Sequence, residues 1–300
     1  MDLKELRAFV EVVRQGGFSR AAKTLFATQS TVSKSVKQLE DELGLPLLER
    51  AGHRSTLTAA GEVVLQRATA MLAQRDDLLA ELDELQGLKR GVLRLGLPFI
   101  GSSTLFSPVF ARYHKLYPGV AIRFIERGSR RLEELVLAGE VDLGATLLPV
   151  GEAFGWQEVR CEPLHALVPA GHPLAGREEL RLAELRNTDF ILFGPEFAIT
   201  PMILEACSRS GFTPEVVVRT VQIDFIIELV AAGMGVGFLP RMIAEQRRHP
   251  GVRSIPVTDR GLDWHLALVW RRGGYLSHAA QAWLDLARVH SFLPGASGAA

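Results

Sequence analysis

The 300-residue chain has two cysteines, three tyrosines and only 7% aromatic residues. Cys161 and Cys207 are too few for a disulfide framework and form no C-x-x-C pair, which fits a reducing, cytoplasmic setting. No apolar run is long enough for a membrane span. The longest, Phe225 to Pro240, falls short of the roughly 20 residues required and carries Glu228 and three glycines. The amino terminus, Met-Asp-Leu-Lys-Glu-Leu-Arg, interleaves charged and apolar residues, so neither a signal peptide nor export by that route is expected. An excess of one charge is also missing. Lys plus Arg and Asp plus Glu both number 34, a balance that at face value argues against nucleic acid as a partner. With 47% hydrophobic and 23% charged residues, the composition excludes a disordered or fibrous chain, and the length fits about two domains.

Signatures of catalysis are equally scarce. The eight histidines show no H-x-H or H-E-x-x-H spacing, so no metal site is expected. Gly233-Met-Gly-Val-Gly places glycines at alternate positions, unlike the dinucleotide fingerprint G-x-G-x-x-G, and no G-x-S-x-G elbow occurs. The chain is therefore read as neither an enzyme nor a cofactor carrier.

Periodic segments fill the first third. Leu3, Leu6, Phe9, Val10 and Val13 predict an amphipathic helix that Gly16 and Gly17 stop. Ser19 is placed to cap a second helix bearing Ala21, Ala22 and Leu25. After a short turn at Ala27 and Thr28, a third helix runs from Gln29 to Leu43, with Val32, Val36 and Leu39 on one face and Gly44 as its stop. Leu45 to Glu49 and Ser55 to Thr58 read as two strands around Gly52, His53 and Arg54. Residues 59 to 88 predict one long helix, in which Val64, Met71, Leu78 and Leu85 recur every seven residues beside Leu65, Leu72 and Leu79. Such a helix is about 45 Å long. Its stripe either packs on the same chain or, as the favoured reading, forms a dimer coiled coil.

After Gly91 strands and helices alternate in α/β order. Strands are expected at 92–97, 120–126, 141–148, 165–169, 190–193, 216–220, 236–239 and 265–270. Helices are expected at 104–116, 131–138, 202–210, 225–232 and 276–289. The residues from 293 to 300 are small and polar enough to read as a disordered tail.

The neutral charge hides a local imbalance. From Val12 to Leu39 there are five bases, Arg14, Arg20, Lys23, Lys34 and Lys37, and no acid. Gln29, Ser30, Thr31, Ser33 and Lys34 at a helix start are short enough to meet base edges in a major groove, with lysines for phosphates. A solvated helix in an ordinary bundle is the plainer alternative. The helix-turn-helix spacing and the basic hairpin at Arg50, His53 and Arg54 favour DNA.

A second group lies at two turns between strand and helix, Gly101-Ser-Ser-Thr and Gly128-Ser129. Free N–H groups and hydroxyls at a helix start favour an anion, and open α/β sheets bind ligands at strand carboxyl ends. Ordinary helix capping is the competing explanation for each turn alone. A small carboxylate between two lobes is the sharper one.

These residues carry a resemblance. Residues 1 to 60 resemble the winged helix-turn-helix of LysR-type transcriptional regulators in Phe18-Ser-Arg-Ala-Ala-Lys-Thr-Leu, Thr28-Gln-Ser-Thr-Val-Ser-Lys-Ser-Val-Lys-Gln-Leu-Glu and Leu57-Thr-Ala-Ala-Gly. The remainder is similar in Gly139-Glu-Val-Asp-Leu-Gly, His172-Pro-Leu and Leu229-Val-Ala-Ala-Gly-Met-Gly-Val-Gly-Phe-Leu-Pro, so coverage is effectively full length. The resemblance implies an α/β fold class with a mostly α winged helix-turn-helix at the amino terminus. DNA contacts fall on Gln29, Ser30, Thr31, Ser33, Lys34 and Lys37, with His53 and Arg54 in the wing. Many members have proline at the position of Ser30 and arginine at that of Lys34. Lysine lacks the planar fork that reads guanine, so Lys34 is expected to hold phosphate.

The carboxyl-terminal part resembles two-lobed periplasmic binding proteins with an effector in the interlobe cleft. The matching positions are Ser102, Ser103, Ser129, Thr146, Leu147, Phe197 and Thr200. Some aromatic-acid sensors of the family carry arginine where Leu147 aligns, which argues against a large aromatic diacid. Gln15-Gly-Gly-Phe, Gly96-Leu and Thr146-Leu-Leu-Pro-Val resemble CidR-like members, whose effector is acetate or pyruvate.

The expected organisation is a DNA-binding domain in residues 1–58, a dimerising linker helix in 59–89 and an effector domain in 90–292. Its first lobe comprises 90–162 and 266–292, its second 163–265. The chain crosses between lobes near Glu162 to Leu164 and near Trp264 to Leu266, which are natural hinges. The resemblance further implies double-stranded DNA with inverted-repeat half-sites, a homodimer or homotetramer, and contact with RNA polymerase. The alternatives are a small-molecule binding or transport component, favoured by residues 90 to 292 alone, and a redox-sensing regulator using Cys207.

Overall fold

The computed structural model describes residues 1–51, 54–85 and 91–291. They form two compact units, one built mainly from Met1–Leu88 and the other mainly from the chain after Lys89.

The first unit contains α1 (Leu3–Gln15), α2 (Phe18–Thr24), α3 (Gln29–Leu43), β1 (Leu48–Ala51), β2 (Arg54–Leu57) and α4 (Ala59–Leu85). A capping box starts α1: the Asp2 carboxylate accepts from the Lys4 N–H, and Glu5 accepts from the Asp2 N–H. At Gly16, φ of +66° makes the left-handed stop that glycine adopts without strain. The second helix starts at Phe18, two residues earlier than a Ser19 cap requires, with Gly17 as its cap. Phe18 packs on the core and draws that residue into the helix. The core joins Leu6, Phe9 and Val12 of α1 to Ala21 of α2 and to Val32, Val36 and Leu39 of α3.

The hairpin begins later than the apolar pattern predicts. The N–H groups of Leu47 and Leu48 donate to the Glu40 carboxylate at 2.7 and 3.1 Å, which ties the segment before the strand to α3. Strands β1 and β2 then pair antiparallel from Leu48 with Leu57 to Ala51 with Arg54. The wing tip with Gly52 and His53, the linker residues 86–90 and the tail 292–300 lie outside the described residues.

The heptad stripe of α4 divides. Val64, Leu65, Ala68 and Leu72 join the core of this unit, whereas Met71, Leu78, Leu79 and Leu82 are exposed.

The second unit runs β3 (Gly91–Leu97), α5 (Ser102–Leu116), β4 (Val120–Glu126), α6 (Ser129–Leu137), β5 (Leu143–Leu147), β6 (Phe154–Pro169), a 3-10 turn (Leu182–Leu185), β7 (Phe190–Phe193) and α7 (Ile199–Arg209). It continues with β8 (Val216–Thr220), α8 (Ile223–Ala231), β9 (Gly237–Pro240), α9 (Arg241–Gln246), β10 (Val252–Pro256), β11 (Asp263–Arg271) and α10 (His278–Ser291). Strand β3 runs parallel to β4 and β5, and β11 lies antiparallel between β5 and β6.

Sixteen-residue β6 serves two sheets. Phe154–Pro163 pairs with β11, which enters at Asp263 opposite Pro163, while Leu164–Pro169 pairs with β9 and β10. Only 165–169 was expected as strand. The earlier half alternates poorly because polar Gln157 and Glu162 take buried positions, where each is hydrogen-bonded, while Trp156 is exposed. Helix α9 and strand β10 were not expected either, being short and interrupted by Arg247, Arg248 and His249.

Candidate nucleic-acid interface and effector cleft

Val32, Val36 and Leu39 hold α3 by its inner face. That leaves Gln29, Ser30, Thr31, Lys34 and Lys37 exposed, with Ser33 half-buried beside them. Thr28 caps the helix: its Oγ1 accepts from the Thr31 N–H at 3.2 Å and lies 2.8 Å from the hydroxyls of both Ser30 and Thr31. The Ser19 hydroxyl donates to Gln29 Oε1 at 3.2 Å, leaving the Gln29 amide NH2 to face outward as a donor. Lys34 and Lys37 have no ion-pair partner among the described residues. One helix face thus offers donors, acceptors and two cations at major-groove spacing. Arg54 stands in β2 opposite Ala51.

The turn before α3 holds a residue that sequence reasoning missed. Phe26 is 99% exposed and has φ of +51°, a left-handed conformation unusual for an aromatic. A single phenylalanine between two helices has no periodicity that would mark it.

In the second unit α5, α6 and α7 each start just beyond the carboxyl end of a strand, β3, β4 and β7 respectively. The ring of Phe99 lies 5.9 Å from that of Phe197, joining the turn before α5 to the turn before α7. A Cβ on Gly128 would stand 2.6 Å from the Glu196 carbonyl oxygen, so glycine is what permits the turn before α6 to approach the same loop. Ser102, Ser129, Phe197 and Thr200 are thereby brought together.

Their hydroxyls are differently engaged. Buried Ser102 donates to the Pro98 carbonyl, and buried Thr200 donates to that of Phe193 at 3.1 Å. Buried Thr146, on β5, donates to Glu133 Oε1 at 2.6 Å. Ser129 is buried with no hydrogen-bond partner for its hydroxyl among the described residues, Ser103 is exposed, and Leu147 contributes a half-buried apolar side chain. Sequence reasoning missed Phe99, Glu133 and also Arg219, whose guanidinium donates to the Phe193 carbonyl at 3.5 Å and brings a cation to this wall. None carries a local signal, because each is defined by a contact distant in sequence. Three helix starts and Arg219 favour an anion, while Glu133 opposes one near Thr146.

Glu162 sits where β6 passes from one sheet to the other. Its carboxylate is buried, accepting from Arg160 at 2.6 Å and from Arg241, at the start of α9, at 3.0 Å.

The cysteines are placed unlike a redox pair. Cys207 is fully buried in α7, and burial, with Asp259 adding to it, pushes its thiol up to about 12. Cys161 is exposed on β6, its thiol raised by partial burial and by Asp263, Glu158 and Glu162. Reactive cysteines need the thiolate, and neither environment favours it. Among the described residues no group of histidine, cysteine and acidic side chains is placed to hold a metal, and no helix is long and apolar enough to cross a membrane.

Comparison with known proteins agrees with this architecture. Residues 86–291 match the family model described as the LysR substrate binding domain, and residues 3–62 match that of the bacterial regulatory helix-turn-helix protein, lysR family. The chain is 36% identical over 295 residues to the uncharacterized HTH-type transcriptional regulator YwbI of Bacillus subtilis (strain 168), covering 98% of each chain. It is 32% identical over 280 residues to the HTH-type transcriptional regulator BudR of Raoultella terrigena, covering 91% of this chain and 95% of that one. Among solved structures, a full-length OxyR variant from Pseudomonas aeruginosa superposes with a TM-score of 0.72 at 26% identity, covering 97% of this chain and 96% of that one. The named relatives are regulators, not enzymes, and with both family models matched in order along its length, this chain belongs to the LysR family of bacterial transcriptional regulators.

Proposed function

We propose that this regulator acts in the cytoplasm, binding promoter DNA at paired half-sites as a homodimer or homotetramer through α3 and the β1–β2 hairpin, and that a small carboxylate in the cleft of the second unit modulates it. The observation that carries the effector reading is the convergence of three strand-to-helix turns, those of Ser102, Ser129 and Phe197, at strand carboxyl ends. Ser129 and Ser103 supply hydroxyls, the helix starts supply N–H groups, and Arg219 supplies the cation. Leu147 offers no charge for a second carboxylate, which favours a monoacid such as acetate or pyruvate. Closure of the cleft turns on the crossing of β6 at Pro163–Leu164, biasing one lobe arrangement over another. Contact with RNA polymerase belongs to the same reading.

Two measurements test it. Gel-shift titration with the protein's own upstream region is expected to show steeply salt-dependent binding, and Lys34→Ala should weaken specific and nonspecific complexes alike while lowering the salt slope by about 1. A loss confined to one base position would instead make Lys34 a base reader. Calorimetry with acetate and pyruvate is expected to show saturable heat that Ser129→Ala reduces; silence across small monocarboxylates removes the carboxylate reading.

A further inference from the structure

The second unit contains another concavity, which shares no residue with the cleft. It is a cavity of about 550 Å³ between β6, α8, α9 and β10, within the range that holds small organic ligands. Its lining is divided by chemistry. Leu167, Ile227, Ala244 and Val252 make an apolar floor, and Arg247, Arg248 and Arg253 stand around it against one lining carboxylate, Glu245.

Arg247 is already paired with Asp224, and His249 lies 3.8 Å from Glu228. Arg248 and Arg253 have no ion-pair partner among the described residues, although both edge the cavity and both are exposed. His165 is also in the wall, 8% exposed, with Nδ1 2.8 Å from the Ser254 hydroxyl. Burial, outweighing the opposing pull of Glu245, holds this imidazole below its usual range, so the wall retains a neutral ring that donates or accepts without adding charge.

Two guanidiniums without an ion-pair partner at a concave, partly apolar surface leave positive charge there that an anion would offset. Guanidinium forks match phosphate and carboxylate oxygens two at a time. We propose that this cavity binds a small organic polyanion, a phosphorylated or polycarboxylate metabolite whose oxygens engage Arg248 and Arg253 while its carbon skeleton covers the Leu167–Ile227 floor. The regulator would then take two ligands, one in the cleft and one here.

The test uses the full chain, with pyrophosphate and citrate as probes and sodium chloride of matched ionic strength as the control. Calorimetry is expected to show one saturable site per subunit for at least one probe. Arg248→Ala with Arg253→Ala should weaken it about tenfold or more, the consequence of losing charge-assisted hydrogen bonds. Both arginines are exposed, so the double variant should keep the parent's melting temperature, and Ser129→Ala should leave probe binding unchanged. Pyrophosphate alone would mark a phosphorylated ligand and citrate alone a polycarboxylate; either supports the site. Absence of saturable heat up to roughly 10 mM of both probes, a range that covers weak metabolite sites, overturns it. So does equal affinity in the double variant, or loss of binding on Ser129→Ala, which would place the anion in the cleft. If the double variant loses only nonspecific DNA retention, the patch is a nucleic-acid contact and the proposal fails.

Discussion

Short hydroxyl side chains illustrate how one residue type serves two ends. Ser102, Thr146 and Thr200 all stand at the cleft, yet each donates to a neighbour of its own, whereas Ser129 remains free. The strand-turn-helix signals point to Ser102 and Ser129 and the family resemblance to Thr146 and Thr200, but neither says which hydroxyl is spent on a neighbour, since the acceptors of Thr146 and Thr200 lie 13 and 7 residues away. Cys207 is a clearer case. Burial makes its thiol hold the proton more tightly in the folded than in the unfolded chain. Its contribution to stability is therefore whole below the ordinary thiol value of 9 and is lost as pH rises towards 12. In native protein at pH 8, alkylation read by mass spectrometry is expected to label Cys161 and spare Cys207 until denaturant is added. Rapid native labelling of Cys207 would reopen the redox alternative.

Helix α4 shows what a periodic pattern can and cannot reveal. The seven-residue repeat correctly marks a long helix, and only part of its stripe packs on the same chain. Leu72 and Ala68 are buried within their own unit, while Met71, Leu78, Leu79 and Leu82 leave an apolar row facing solvent. In the proposed homodimer such a row on one face of a helix would be the seam that a second helix covers. Leu78→Lys with Leu82→Lys is expected to convert the protein to monomers in sedimentation velocity. Because both leucines are exposed, monomer stability should change by less than about 0.5 kcal/mol. A dimer that survives places the self-association elsewhere. Strand β6 fails the same kind of reading for the opposite reason: its neighbours change at Pro163, so no single alternation runs along it.

Across the whole second unit, Glu162 links distant parts of the chain. It is buried at the point where β6 changes sheets and is held by Arg160 and by Arg241 on α9. Glu162→Ala removes the shared acceptor and leaves two cations facing each other. The expected loss in urea unfolding is about 2 kcal/mol, below the 3–5 kcal/mol of a fully buried pair because Arg241 is half exposed. An unchanged midpoint would show that the arginines find water instead.

Local information was sufficient for much of this protein. The stop at Gly44, the buried face of α3 and the outward Gln29–Lys37 run depend on neighbouring residues and on those three and four apart, and they are legible along the chain. The same is true of the strand-turn-helix signals at Gly101 and Gly128. Tertiary structure alone decided that Phe99 meets Phe197, that Glu133 takes the Thr146 proton, that half of the α4 stripe stays exposed and that Glu162 joins Arg160 to Arg241. Those arrangements pair residues separated by up to about a hundred positions, and such pairs are chosen by the packing of sheets and helices, for which neighbouring residues carry no periodic trace.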